Sequence, residues 1–400
     1  MYCAKLFHLI NQLFVTLVVV FLSVAFSAVV LFASELCSPS EECSATKQTE
    51  LLERLDLSIG QKNYSASLSI LANLKKFSWS KVDEPKLQKL DNIIRDKFKP
   101  KIKTSFNFAP TSNINDGSNQ SIQPIYIGNQ VLQANLSPDA RALSGLELML
   151  GVDISKPIYL SSNQLISATF SAQNTFKRLD VVSSSKVPNI AYNAFDTSYI
   201  GFGIRQNRKS TGPYTVNMIS AQYVEHYVGS SHYNQQMKFE VNMQGDQHIC
   251  ERQIQASLEV NDYRNGNDDT VLSSLKCSLA RKTVKMFSFD PYLESKQSFS
   301  LDNDNKVLTF GLGVAGSLRL WEKLQLKYVM SAKKNSYNYG YFGGPKREDI
   351  NAFIKLSARL PVTARVGDLI VSVGHSSTKS NVMRFSSDEN FASLSFAQSF

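Results

Sequence analysis

Charge is scarce in this sequence. Asp, Glu, Lys and Arg make up 19% of its 400 residues, against ~25% in typical soluble domains. The apolar fraction is an ordinary 43%. Disorder needs few apolar residues and a high net charge, so it is excluded. Long apolar runs are nearly absent too. One stretch, Leu13 to Ala33, has the ~18 or more nearly uncharged residues that a membrane helix needs, which excludes a polytopic helical protein. Histidine and cysteine number five each. No CxxC, no HExxH, no Cys/His cluster and no His pair at i, i+4 occurs, so the sequence offers no metal site. No GxSxG elbow occurs either. No cofactor and no enzymatic activity are expected. Basic residues exceed acidic ones, 43 to 34. They are scattered rather than gathered in one patch, which argues against nucleic acid as a partner.

What is present leans towards β-structure: 10% aromatics and many Gly, Ser and Asn. The chain divides by pattern into three parts. Residues 1–33 read as a secretory signal, with Lys5 before an apolar middle and small residues after it. Cleavage after Ala25, Ala28 or Ala33 competes with an uncleaved anchor helix. Cys37 lacks the small residue that precedes a lipidated cysteine. Cys3 leaves with the signal, and the four cysteines that remain permit disulfides in an oxidising compartment. Cys37 with Cys43 would close a small loop.

Residues 34–100 carry a short helical segment on the periplasmic side. Leu51, Leu52, Leu55, Leu57 and Ile59, then Leu68, Leu71 and Leu74, follow a helical period. Gly60 and Tyr64 fall between these two helices. A third helix is predicted over Pro85 to Phe98, with Leu87, Leu90, Ile93, Ile94 and Phe98 apolar. The hairpin is similar to a tetratricopeptide unit, but no second copy at the 34-residue period is visible. A plug or docking arm and a partner-binding repeat are both open. Lys97, Lys99, Lys101 and Lys103 make a basic junction to the third part.

From about residue 101 to 400 the period is two. Leu308, Phe310, Leu312 and Val314 alternate with Thr309, Gly311 and Gly313. Met237, Phe239, Val241 and Met243 alternate with Lys238, Glu240 and Asn242. A soluble sandwich also alternates. Segments of ten residues or more instead match the ~9–11 that cross a bilayer at a tilt. Fourteen strands are counted, starting near Lys103, Ala142, Asn163, Thr197, Tyr214, Gln235, His248, Thr270, Thr283, Lys306, Lys323, Ile350, Arg365 and Asn390. The Tyr214 strand and Thr283 to Phe289 alternate poorly. Connectors such as Leu160 to Ser162 and Pro361 to Ala364 are short. A longer set is expected at Pro110 to Arg141, Phe176 to Asp196, Val228 to Asn234, Asp262 to Asp269, Pro291 to Asn305, Asn335 to Asp349 and Ser376 to Glu389.

The expected fold is therefore mainly β: a transmembrane antiparallel β-barrel of about 14 strands behind a short helical segment. Closure leaves no backbone edge unpaired in lipid. An even strand count puts both barrel ends in the periplasm of a Gram-negative type cell, with the barrel in outer-membrane lipid. Leu394, Phe396 and Phe400 share one face of the last strand. They form the insertion signal through which the barrel-assembly machinery would receive the chain.

Parity assigns an inner wall. Lys103, Arg205, Lys238, Lys276, Arg319, Lys327, Lys355 and Arg359 point inward, against Glu147, Asp153, Glu240, Glu251 and Glu259. A mildly cationic interior favours anionic solutes; a merely salt-bridged polar wall is the plainer reading. Glu147 and Asp153 read as wall rather than an acid/base pair. Cys250 and Cys277 share an outward parity on neighbouring strands, open to a cross-strand disulfide or to two free thiols. His375 and Ser377 sit at a His-x-Ser spacing, but His375 has lipid-facing parity.

The first strand, Thr104 to Asn115, reads TSFNFAPTSNIN. An Ala/Pro-x-Ser-Asn-Ile-Asn ending resembles the barrel domain of the surface lipoprotein assembly modifier (Slam) family. A further similarity is Ser380 and Asn381 in an outer loop, then Arg384 and a last strand closing on Phe400. The resemblance covers residues 102 to 400. It implies a fourteen-stranded outer-membrane barrel behind periplasmic helices that exports lipoprotein or other secreted-protein clients to the cell surface. Pro110, Ser112, Asn113, Ile114 and Asn115 are the residues carried over; a capped turn where the first strand leaves the membrane is the competing structural reading. The helical part here is far shorter than the family's repeat array. A porin-type channel, anion-preferring, and a structural or adhesive surface barrel are the alternatives.

Overall fold

The structure, a computed structural model, describes residues 41–77, 83–127, 130–209, 215–244, 253–263, 269–279, 282–284, 286–301, 305–320, 324–340, 344–363 and 367–399. The expected signal segment, with Cys3 and Cys37, lies outside these residues, as do Cys250, Glu251, Phe400 and the side chain of Cys43. The chain forms two compact units: 1–99 with 157–166, and 100–156 with 167–400.

Among the described residues the first unit contains three helices: α1 (Glu41–Gly60), α2 (Tyr64–Leu74) and α3 (Asp83–Asp96). Leu51, Leu55, Leu71, Leu74, Leu87 and Ile94 form its buried core. Asn63 caps α2, its Oδ1 accepting from the Ala66 N–H at 3.2 Å. Ser58 and Ser67 hydroxyls meet at 2.7 Å inside the α1–α2 pair. The apolar face of α3 differs from the expected one. Ile93 is 50% exposed, and Asp91 at 4% takes the inner position, because a 3.6 period carries Leu87 to Asp91 and Ile94, not to Ile93. Asp91 Oδ2 accepts from Lys75 Nζ at 2.6 Å and from Arg95 Nε at 2.8 Å. Burial pushes the Asp91 carboxyl up, but these hydrogen bonds outweigh it and hold it below the usual carboxylate range. Among the described residues no helix is long and apolar enough to cross a membrane.

The second unit is a closed antiparallel barrel. Its strands are β1 (Lys101–Thr111), β4 (Gly145–Leu160), β5 (Gln164–Leu179), β6 (Thr197–Arg208), β7 (Thr215–Val228), β8 (Ser231–Gln244), β9 (Gln253–Tyr263), β10 (Thr270–Ser278), β12 (Phe287–Ser300), β13 (Lys306–Arg319), β14 (Gln325–Gly340), β15 (Lys346–Thr363), β16 (Gly367–Ser380) and β17 (Ser387–Ser399). Each pairs with the next, β1 pairs with β17, and β10 pairs with β12. Fourteen strands thus close on themselves. A short piece, β11 (Lys282–Val284), lies beyond the end of β10 and pairs with the start of β12. This corrects the strand expected from Thr283: that stretch alternates poorly because it is a turn-back onto Phe287 to Phe289. The weak alternation after Tyr214 also has a cause. The β7–β8 register shifts between Val216 and Met218, a bulge that moves the side chains beyond it to the other face.

The strands are longer than expected, so most of the connections at one end are short. The expected loop Val228 to Asn234 shrinks to Gly229 and Ser230, with Gly229 at φ +60, where a glycine is favoured. The expected long connections at Pro291, Asn335 and Ser376 shrink likewise, because strand pairing continues through most of each. The long ones are 112–144 and 180–196. The first holds a hairpin of β2 (Ile122–Ile127) and β3 (Gln130–Asn135). The second holds α4 (Val181–Lys186), capped by Asp180 Oδ1, which accepts from Ser183 N–H at 2.7 Å. Hydrogen bonds from Ser144 and Ser183 hold the Asp180 carboxyl below its usual range. We call this the loop end. The end that carries Lys101 and Ser399 is the turn end.

The outer face is apolar and bare: Phe310 is 66% exposed, Leu312 61%, Ile350 57% and Phe202 56%. A surface of this kind is stable in lipid and not in water. Strand pairing keeps each parity together around the ring, so Phe106 lies opposite Leu150 and Phe396, and Phe108 opposite Leu148 and Leu394. Leu394 and Phe396 of the expected insertion signal are thus lipid-facing.

Candidate functional site

With one parity given to lipid, the other lines the interior. Pairing puts Lys103, Glu147, Asp153, Arg205, Lys238, Glu240, Lys276, Arg319, Lys327, Lys355 and Arg359 on that inner parity. The two ends treat them differently.

Near the loop end and the middle, several charges are paired. Arg347 holds Asp349 with two hydrogen bonds, Nε to Oδ1 at 3.0 Å and Nη2 to Oδ2 at 2.6 Å. The Tyr337 hydroxyl donates to Asp349 at 3.1 Å, and the Arg347 guanidinium lies over Phe385 at 3.4 Å. Glu294 sits between Lys296 at 3.0 Å and Lys333 at 2.8 Å. Lys238 pairs with Glu259 at 3.0 Å, and Glu240 accepts from Asn242 and Gln255. Lys177 reaches Glu147 at 3.4 Å. Sequence reasoning missed Lys177, Glu294, Lys296 and Lys333. Their strand parity would have found them.

The family-like stretch belongs to this end. Lys177 Nζ also donates to the Ile114 carbonyl at 2.9 Å, which brings the stretch against the inner side of β5. Asn113 is buried, its Nδ2 donating to Gly117 O at 2.9 Å and its Oδ1 accepting from Gly117 N at 2.8 Å. Asn115 Nδ2 donates to the carbonyls of Asp139 and Arg141 at 2.8 and 2.7 Å, and its Oδ1 accepts from Leu143 N. Ile114 is fully buried with Leu143 and Val187, and Leu179, Ile190 and Phe195 pack around them. Ser112 Oγ accepts from Asn390 N at 3.0 Å. Pro110 stays in β1, opposite Leu146. The motif therefore orders both long connections, and its side chains are occupied in doing so.

At the turn end, Lys103, Asp153, Arg205, Arg319 and Lys327 point inward yet are exposed, so solvent reaches them from inside the barrel. Among the described residues none of these five has an ion pair, nor has Lys355; Lys276 lies over the Tyr292 ring at 4.0 Å. Arg359 is paired with Asp368. A 14-strand ring exceeds the eight strands whose side chains fill an interior.

The remaining expected residues lie apart from this wall. His375 faces outward and bonds Asn390 Oδ1 at 2.9 Å. Ser377 is opposite Ala352 and Asp388. Cys277 is outward-facing and disulfide-bonded. Among the described residues no group of His, Cys, Asp and Glu that could hold a metal ion is present.

No family model matches the chain, and no curated protein matches it. Solved structures resemble it at low identity. A bacterial polysaccharide outer membrane secretin is 11% identical over 74% of this chain and 98% of its own, with a TM-score of 0.40. A BenF-like porin from Pseudomonas fluorescens Pf-5 is 7% identical over 76% and 99%, with a TM-score of 0.40. A loop-deleted form of OmpT, an outer membrane protein of Vibrio cholerae, is 8% identical over 76% and 99%, with a TM-score of 0.38. The closed ring of strand pairs and its bare apolar exterior make this chain a transmembrane β-barrel of outer-membrane type.

Proposed function

We propose that this chain is a Slam-like outer-membrane barrel that assists the export or display of lipoproteins or other proteins at the cell surface. The observation that carries the reading is the asymmetry of the interior. At the turn end Lys103, Asp153, Arg205, Arg319 and Lys327 point inward, exposed and without an ion pair among the described residues. At the loop end the Ser112 to Asn115 stretch, the part similar to the family, binds both long connections to the inner wall. The helical unit leads into the turn end of β1 through residues 97–100, three of which are Lys97, Lys99 and the Pro100 that precedes the strand.

The test is surface proteomics on intact cells with and without the gene. Loss of a few specific surface proteins, with their accumulation in the periplasm, is the expected result and names the clients. An unchanged surface apart from this protein overturns the export reading.

A second reading, an anion-preferring channel, is supported by the unpaired inward cations at the turn end. Planar bilayer recordings in a salt gradient test it. A reversal potential of the anion-selective sign supports a channel, and a silent barrel removes it.

A further inference from the structure

One row of inward side chains crosses six neighbouring strands at the turn end. In register it reads Ser288, Ser317, Lys327, Ser357, Ser372 and Ser393, from β12 to β17. Five small hydroxyl side chains flank one lysine. The serines bond one another: Ser288 to Ser317 at 3.0 Å and Ser357 to Ser372 at 2.9 Å. Ser288 and Ser372 are buried, and Lys327 stands exposed above them. Diagonal to Lys327 on the same face are Arg319, through Ser317, and Lys355 and Arg359, through Ser357. Such diagonal neighbours are about 7–8 Å apart, within reach of long side chains. Three of the four cations have no ion pair among the described residues, and Asp368 holds Arg359. Asp290, on the same wall, has a partner of its own.

Like charges at this spacing repel, and among the described residues no carboxylate pairs with Arg319, Lys327 or Lys355. Small serines leave room over the lysine, where Leu or Phe would fill it. We propose that this patch, Arg319, Lys327 and Lys355 over the serine row, is a binding site for a soluble phosphoryl group. A phosphoryl group carries up to two charges and several acceptor oxygens, which three cations can share. A carboxylate has one charge and two oxygens and would leave most of the patch unmatched. The proposal requires solvent inside the barrel. It goes beyond the export reading and does not depend on it.

The experiment is calorimetric titration of the full chain in detergent with inorganic phosphate, pyrophosphate and acetate, at two salt concentrations. Phosphate and pyrophosphate are expected to bind, pyrophosphate more tightly and both more weakly at high salt, with acetate at least tenfold weaker. Lys327→Gln is expected to weaken pyrophosphate binding about tenfold or more, the effect of losing one charge-assisted contact. Lys103→Gln, on the same wall but away from the row, should bind as the parent does. If Lys327→Gln fails to fold, the double variant Arg319→Gln/Lys355→Gln, which keeps Lys327, is read in its place with the same expected loss. Absence of phosphate binding, equal binding of acetate, or full binding by a folded variant each overturns the site. The surface proteome would be unmoved by any of these results, so the export reading stands or falls separately.

Discussion

At the loop end of the barrel, Asp349 is 1% exposed and gripped by Arg347 and Tyr337. At the turn end, Lys327 stands exposed on the same inner wall, with no carboxylate partner among the described residues. Strand parity treats the two alike, since both are inward charges. Burial separates them. A charge removed from water needs a partner, so at the loop end charges come in pairs and serve the structure. Where solvent remains, a charge needs none, and what is left is a field directed at whatever enters. Breaking charges at the loop end should therefore cost stability. Breaking them at the turn end should change only recognition.

The greatest loss is expected at Asp349. Asp349→Ala leaves Arg347 deep in the wall, 17% exposed, without its partner. Losing one member of a buried pair costs about 3–5 kcal/mol. Urea unfolding of the detergent-solubilised barrel reads it. A loss under about 1 kcal/mol would mean that the pair is solvated and that the contrast between the ends fails.

Ile114→Ala is next. Its side chain fills the contact between the two long connections, and truncating a fully buried isoleucine costs about 2–5 kcal/mol. The barrel does not depend on that contact, so the damage should be local. Limited proteolysis should cut within 112–144 or 180–196 faster, while the barrel band on an unheated gel stays. Loss of the barrel band as well would make the motif a folding element for the whole ring.

That distinction bears on what the sequence disclosed. The period-two alternation located the ring of fourteen strands because lipid and the barrel interior select opposite side chains at successive positions. It failed at two places where backbone geometry overrides the pattern: the bulge at Val216 to Met218, and the turn-back of Lys282 to Val284 onto β12. Loop lengths were overestimated, since pairing beyond the bilayer tolerates polar residues and leaves no hydropathic edge at Asn335 or Ser376. The inner charges were legible from parity, whereas their partners were not. Glu294 meets Lys333 across two strand boundaries, and that neighbourhood follows from register alone. The serine row is likewise invisible along the chain, because its members are 10 to 30 residues apart and align only in the closed sheet.

A smaller effect sits between the two ends. Tyr292 lies across Gly313, where an added Cβ would be 2.4 Å from the ring. Gly313→Ala should cost about 1–3 kcal/mol by overpacking. Adding Tyr292→Ala should return the part due to the ring, as for two residues in contact, and leave the part due to the Met330 carbonyl, 2.8 Å from the same Cβ. A double variant as unstable as the sum of the singles would show that the ring and the glycine are independent.

The helical unit supplies a control outside the barrel. The Asp91 carboxyl is held below its usual range, so its contribution is present above the unfolded value of ~3.9. It is lost as pH falls through the lower folded value. Helical signal from the unit should therefore weaken below about pH 4 in the parent, and Asp91→Asn should be less stable at neutral pH and flatter through that window. An identical acid profile in the variant would show that Asp91 is not the responsible group.

The mildest substitutions discriminate best between the two ends. Lys103 and Arg205 point inward at the turn end and are exposed, with no ion pair among the described residues. Replacing each with Gln removes charge and little else. Exposed substitutions away from caps, networks and cores stay within about ±0.5 kcal/mol. The double variant Lys103→Gln/Arg205→Gln should thus unfold in urea as the parent does, while its reversal potential in a salt gradient moves towards the cation side. A destabilisation of about 2 kcal/mol or more, well outside that range, would show that these side chains hold the wall together, as Arg347 and Asp349 do at the other end. The interior would then obey one rule throughout, and the case for a turn end shaped by its ligands would be gone. Unchanged stability with a shifted selectivity would place the working surface of the barrel where its charges are free.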